Sequence, residues 1–265
     1  MKKRVLAIIL CICTGLCLFA PSFAESSALQ GDANGDGKVS VRDASLVLRY
    51  SVGLCESMTT RGKINADINR NAKLDAEDAA AILRQAAGVS TLSAIPALDT
   101  TLYNKLAAHP LKDRDFTEWI SRTIQYLPSG DRKNVLYQAA NYLGKPYSEY
   151  NCSDFLKIAF EKAGISKEVY PGYSSDKTYR WFKEKNKAKA IQRSNGVIDA
   201  SGWKPGTIVI YMSEDGSKAN HLALFIGVID GEPIIMDSGS DDGVRLSELW
   251  EYGEWVPTYY ADPWG

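Results

Sequence analysis

The chain has 265 residues, 31 basic and 32 acidic side chains and a formal net charge of −1. Beyond its first residues it carries no run of Lys and Arg, which argues against nucleic acid as a partner. Five cysteines are too few for a disulfide-stapled scaffold, so stability must come from hydrophobic cores, with metal where ligands permit.

The first element reads as a leader. "MKKR" is a basic start, "VLAIILCICTGLCLFA" an apolar stretch, and "PSFA" ends in small residues before Glu25. This is the pattern of a secretory signal peptide spanning 1–24 and cleaved near Ala24. The apolar run is short for a spanning helix, and Leu16 before Cys17 is too bulky for a lipobox. No later segment is long and apolar enough to cross a bilayer, so the expectation is a secreted protein without a membrane span. Cleavage would remove Cys11, Cys13 and Cys17. Cys55 and Cys152 remain, and the sequence leaves open whether they pair. The remaining ~240 residues suit one or two domains.

Residues 31–53, "GDANGDGKVSVRDASLVLRYSVG", align without a gap to 66–88, "ADINRNAKLDAEDAAAILRQAAG". The repeat carries metal-ligand spacing. Asp32, Asn34 and Asp36 take positions 1, 3 and 5 of a twelve-residue loop, Lys38 offers its carbonyl at 7, Ser40 stands at 9 and Asp43 at 12. The second loop offers Asp67, Asn69, Asn71, the Lys73 carbonyl, Asp75 and Asp78. Hard oxygen ligands at this spacing suit calcium. Gly37 fills position 6, where the chain turns sharply, but Ala72 replaces it in the second loop, which predicts a weaker site there. A helix follows each loop, with Ala44, Val47 and Leu48 in one and Ala79, Ile82 and Leu83 in the other.

With no long helix entering either loop, this segment resembles a type I dockerin, the unit assigned to 25–90. The resemblance implies two structural calcium ions, a cohesin module of a scaffoldin as partner, and an extracellular, cellulosome-attached location. Val41-Arg42 in one half faces Ala76-Glu77 in the other, and this charge difference predicts one dominant docking orientation.

Residues 91–98 read as a linker to a second domain over 99–265. "FTEWISRTIQYL" (116–127) has one apolar face and is stopped by Pro128 and Gly130, and "NVLYQAANYLG" (134–144) reads as a second helix. In "YNCSDFLKIAFEKAGI", Phe155, Ile158 and Ala159 mark a helix whose N-terminus falls at Cys152, a position that lowers a thiol's pKa. A buried, inert cysteine fits the same residue type. His109, before a proline, reads as an exposed turn histidine, whereas His221 opens "HLALFIGVI", a run of strand type. Three strands are expected at 207–212, 221–229 and 232–239. The turn "IDGEP" between the last two brings His221 beside Asp237, giving a nucleophile, a base and an orienting carboxylate. The aromatic tail "LWEYGEWVPTYYADPWG" is assigned to packing of a final strand.

"LGKPY…NCSDFLKIAFEKAGI", "WKPGTIVIYM" and "HLALFIGVIDGEPIIMDSG" together resemble the NlpC-type papain-like peptidases of bacterial cell walls. The resemblance covers roughly 134–240 and implies an α+β fold, with helices packed on an antiparallel sheet, following the small all-α dockerin with its two EF-hand-like loop–helix repeats. It makes Cys152 the nucleophile, His221 the base and Asp237 the third polar residue. It makes Tyr147, Asn151 and Ser153 part of the substrate site. Asn151 stands where the family often has aspartate, which weakens recognition of a free amine, and Asp154 replaces a common glycine, adding a carboxylate that favours the helix dipole but raises the thiol's pKa. Catalysis would need no metal. The implied activity is that of a cysteine peptidase or amidase acting on peptidoglycan stem peptides. The alternatives are a protease acting on protein substrates in the same complex, or an inactive dockerin-borne binding module.

Overall fold

In a computed structural model, residues 29–265 are described except 56, 72, 110–113, 230 and 252–254. The leader and Ala72 therefore lie outside the described residues. Each repeat folds as a loop that runs into a helix, α1 (Val41–Ser51) and a later counterpart. Between the repeats a short helix, α2 (Thr60–Ala66), is capped by the Thr59 hydroxyl accepting from the Gly62 amide. It had no signature in the periodicity. The second loop then leads into α3 (Ala76–Ala86). Both repeat helices open on the same device. Ser40 caps α1 in a capping box closed by Asp43, and Asp75 caps α3 in one closed by Asp78. Val47 and Ile82, equivalent residues of the repeat, are fully buried in a small core with Ala44, Ala79, Met58 and Leu74. α2 lies close over the first loop, since a Cβ on Gly62 would come 2.3 Å from the Ala33 carbonyl.

The second domain begins with α4 (Thr100–Ala107), α5 (Arg114–Tyr126) and α6 (Asp131–Ala140). The helix expected over 134–144 ends four residues early. The reason is that Gly144 enters a left-handed turn and gives its N–H to the Val244 carbonyl, so the chain leaves the helix to pair with the sheet. Next come α7 (Cys152–Lys162) and α8 (Ser175–Glu184), then short strands β1 (Ala188–Ala190), β2 (Arg193–Ser194) and β3 (Val197–Ile198). The long strands are β4 (Ile208–Met212), β5 (Ala219–Ile229), β6 (Glu232–Gly239), β7 (Gly243–Glu248) and β8 (Val256–Ala261). All but β2 and β3 form one antiparallel sheet in the order β1-β8-β4-β5-β6-β7. Among the described residues the protein is thus a mixture of helices and antiparallel sheet.

Two cores sandwich the sheet. Along β5, Leu222, Leu224 and Ile226 point to the helices, where Phe155, Leu156 and Phe160 of α7 meet them. Ala223 and Phe225 point to the other face, against Trp203 and Tyr211. This alternation is the two-residue period of a strand. β5 begins two residues before His221, so the histidine is its third residue rather than its opener. Its direct partner on β4 is Tyr211, with a register shift immediately beyond that pair.

Residues 91–98 carry no helix or strand, yet they are fastened down. Arg122 of α5 donates to the Pro96 carbonyl, the Gln125 side-chain amide donates to that of Ala97, and the Gln125 side-chain oxygen Oε1 accepts from the Asp99 amide. The repeat segment also contacts α5. Arg61 forms a two-pronged pair with Glu118, at 2.9 and 2.8 Å, and Glu118 also accepts from Arg122. Burial raises the Glu118 carboxyl, but these two cations outweigh it and hold it below its ordinary value. Ile64 of α2 belongs to the main core, and the Lys63 ammonium lies over the rings of Tyr50 and Trp119.

Candidate active site

Asn151 sets up the nucleophile's position. Its side-chain oxygen accepts from the Ser153 and Asp154 amides at 3.0 and 3.1 Å, an N-cap that makes Cys152 the first residue of α7. Phe155, Leu156 and Ala159 anchor the helix against the sheet, which aims its N-terminus at β5. Cys152 is buried, and its sulfur lies 3.5 Å from the Ser175 hydroxyl at the start of α8. Burial acts to raise the thiol's pKa. The hydrogen bond and charge of His221 act against it, with lesser help from Ser175 and the Leu222 backbone, and the result is a thiol lowered to about 7.

His221 is 4% exposed, and its Nε2 lies 2.9 Å from Asp237 Oδ2. That commits Nε2 to the carboxylate and leaves Nδ1 as the ring nitrogen available to the Cys152 thiol. Burial acts to lower the imidazole's pKa. The hydrogen bonds and charges of Asp237 and Cys152 prevail and raise it to about 9. Asp237 is fully buried. Burial would raise its carboxyl, but His221 and Arg245 overcome this and keep it below its ordinary value. A thiol near 7 beside an imidazole near 9 exists at intermediate pH as a thiolate–imidazolium pair.

The structure therefore brings together Cys152, His221 and Asp237 from α7, β5 and β6. The Ser153 hydroxyl is 3.0 Å from that of Ser175 and 3.9 Å from the sulfur, so it borders the site. Tyr147 is 38% exposed, and burial with the nearby Cys152 and Asp154 charges raises its phenol. Asn151, also expected at the substrate site, serves as the cap of α7. Its oxygen is engaged in the helix cap and its amide donates to Asp154. Cys55 and Cys152 are both free thiols. His109 is half-buried rather than exposed, with its ring packed over Gly144.

Five further residues shape the site, with little sign of them in the sequence. Ser175 arrives with α8. Trp250, from the tail assigned to strand packing, donates from Nε1 to Asp237 Oδ2 at 3.2 Å, while Arg245 Nε donates to Oδ1 at 3.1 Å. Tyr211, Trp250 and Trp255 place their rings 5.2, 5.5 and 5.6 Å from that of His221. The strand spacing of Arg245 from Asp237 was the one usable signal. A cleft of 730 Å³ lies elsewhere, between the repeat and the second domain, lined by Tyr50, Lys73, Trp119, Trp203 and Phe225. Cys152, His221 and Asp237 do not line it, although the free thiol of Cys55 does, so chemistry rather than volume locates the candidate site.

The two loops of the repeat superpose in their hydrogen bonding. Asp43 Oδ1 accepts from the Ala33 and Asn34 amides, and Asp78 Oδ1 accepts from those of Ile68 and Asn69. Asp32 accepts from the amides of 35, 36 and 37, and Asp67 from that of Asn71. Asn34, Asp36, Asn69 and Asn71 each accept from the amide two residues on. Ser40 and Asp75 serve as helix caps. Among the described residues no three acidic, histidine or cysteine side chains converge as a metal site by themselves. A complete ligand set would also draw on the Asn34 and Asn69 side-chain oxygens and the Lys38 and Lys73 carbonyls. The donor chemistry fits calcium, with buried Asp32, Asp43, Asp67 and Asp78 supplying the charge. Burial raises the Asp78 carboxyl despite its amide hydrogen bonds. Arg70 takes φ 61° where the first loop has Gly35 at 76°, so the second loop holds a non-glycine residue in the left-handed region.

Residues 30–85 match the sequence model of the Dockerin type I domain. Domains of this type generally bind calcium and imply a cohesin partner. No curated protein and no solved structure matches the chain. Among the described residues no helix is long and apolar enough to cross a membrane.

Proposed function

We propose that this protein is a secreted, dockerin-borne cysteine amidase of the NlpC-type papain-like kind, acting on peptide bonds of peptidoglycan stems. The observation that supports it most is the buried Cys152 thiol at a helix N-terminus, its pKa lowered by a neighbouring histidine that a buried carboxylate holds. His221 Nδ1 takes the Sγ proton, and the thiolate attacks the amide carbonyl carbon. The oxyanion forms at the N-terminus of α7, where the Cys152 amide is available as a donor. The C–N bond breaks as the imidazolium gives its proton to the departing amine. His221 then removes a proton from water, which attacks the thioester, releasing the acid and regenerating the thiol. Asp237 fixes the ring and stabilises its charged form.

The dockerin provides the address. Val41, Leu48 and Leu83 are exposed on α1 and α3 and available to a cohesin. In this reading two calcium ions are held by Asp32, Asn34, Asp36, Asp43 and the Lys38 carbonyl, and by Asp67, Asn69, Asn71, Asp78 and the Lys73 carbonyl. Bound calcium supplies positive charge that balances the buried carboxylates and holds the loops. Arg42 and Glu77 are exposed at equivalent helix starts, which supports one dominant cohesin orientation.

Mass spectrometry of peptidoglycan fragments and of a denatured protein, each incubated with the wild type and Cys152→Ala, tests the activity. New peptide termini from the fragments with the wild type alone are expected and would name the bond. Cleavage of the protein alone would shift the substrate class. No cleavage of either would leave the binding-module reading ahead.

A further inference from the structure

Asp237 is fully buried, yet it faces more than His221. Its Oδ2 accepts from both His221 Nε2 and Trp250 Nε1, and its Oδ1 accepts from Arg245 Nε. A carboxylate removed from water in this way needs a counter-charge to stay ionised. Arg245 is placed by register, since Asp237 and Arg245 are direct partners across β6 and β7. Two neighbours keep its guanidinium there. Asp242 accepts from Nη1 on the solvent side, and the Trp250 ring lies 6.0 Å from Cζ. The chain also leaves room for it. A Cβ on Gly239, two residues beyond Asp237 on the same strand face, would come 3.1 Å from Arg245 Cζ and Nη2.

We propose that Arg245 is a positioning residue, which keeps Asp237 ionised and its Oδ2 directed at His221, so that the Cys152–His221 pair stays charged. This rests on the reading of Cys152 and His221 as nucleophile and base. The triad is in effect extended by a cation from the next strand. The other charged or titratable groups around the cluster are Tyr211 on β4, Cys152 on α7, Asp242 beside Arg245, and Glu251 next to Trp250. None of these groups is a cation, and apart from the imidazole of His221 itself Arg245 is the cation that contacts the carboxylate among the described residues. The downward shift of Asp237 and the upward shift of Arg245 agree with this geometry.

The test needs no substrate. The rate at which iodoacetamide alkylates Cys152, followed on its own peptide by mass spectrometry from pH 5 to 10, reports the thiolate. The protein is the full chain, compared with Arg245→Gln, which keeps a donor but no charge, and Arg245→Lys, which restores charge without the fork. The wild type is expected to show an inflexion near 7. Arg245→Gln is expected to move it toward the ordinary thiol value of about 8.5, lowering the rate at pH 7 by roughly tenfold. Arg245→Lys should recover to within about threefold of the wild type. Gly239→Ala, which displaces the guanidinium while leaving it in the protein, should move the inflexion in the same direction by less. An unchanged inflexion in folded Arg245→Gln would overturn the proposal alone. An ordinary inflexion already in the wild type would overturn the underlying reading of the pair.

Discussion

In the repeat, Asp32 and Asp43 belong to one twelve-residue loop and are brought together by local turns. In the second domain, Cys152 and Asp237 lie 85 positions apart and meet only once α7 has packed on the sheet and β5 has paired with β6. The difference teaches that a local ligand set can be read by spacing, whereas a triad depends on long-range register. It also separates the functions, because damage to either site should leave the other nearly intact.

The largest expected effects break the comparison at the second domain. Cys152→Ala should remove amidase activity altogether, and His221→Ala should lower it by roughly 10²–10⁴-fold. Both should bind a cohesin as the wild type does, measured by calorimetric titration. Loss of cohesin binding in either variant would show that the two regions are not independent. At the repeat, Asp32→Ala is expected to weaken calcium binding by more than Asp67→Ala. The first loop has glycine at its left-handed positions and a carboxylate, Asp36, at position 5 where the second has Asn71, and calcium titration of the two variants measures the difference.

The pH dependence sharpens the account of the triad. The thiol loses its proton as pH rises through about 7, and the imidazolium keeps its own until about 9, so the reactive pair is populated between them. The kcat/KM profile should therefore be bell-shaped, rising through the lower value and falling through the upper. Smaller effects concern stability. Glu118→Gln leaves Arg61 and Arg122 without their shared carboxylate and should cost about 3 kcal/mol in urea unfolding. Asn151→Ala removes the cap of α7 and should cost about 1 kcal/mol by the same measurement.

The sequence disclosed most where structure is periodic. The repeat could be read residue by residue because position in a loop determines which atoms turn inward. Cys152 at the start of α7 and His221 beside Asp237 were also foreseeable, since helix starts, strand runs and a short turn leave local marks. α2 and α8 left none strong enough, and Ser175 was missed with α8. Trp250 and Arg245 were hidden for a different reason. Their role comes from folding back on a carboxylate already committed to His221, and tail aromatics or a strand arginine ordinarily serve packing and solvation. Asn151 shows a second role that its position left unread. A polar residue beside a nucleophile invited a substrate role, but four backbone amides at a helix start need acceptors, and it answers that need first.

The most direct test of the central claim is the pH profile of Cys152 alkylation in the wild type beside His221→Ala. The account predicts an inflexion near 7 in the wild type and a shift of more than one unit upward when the imidazole is removed. Equal profiles with an ordinary thiol inflexion in both would contradict it, and Cys152 would then be a buried cysteine without a base.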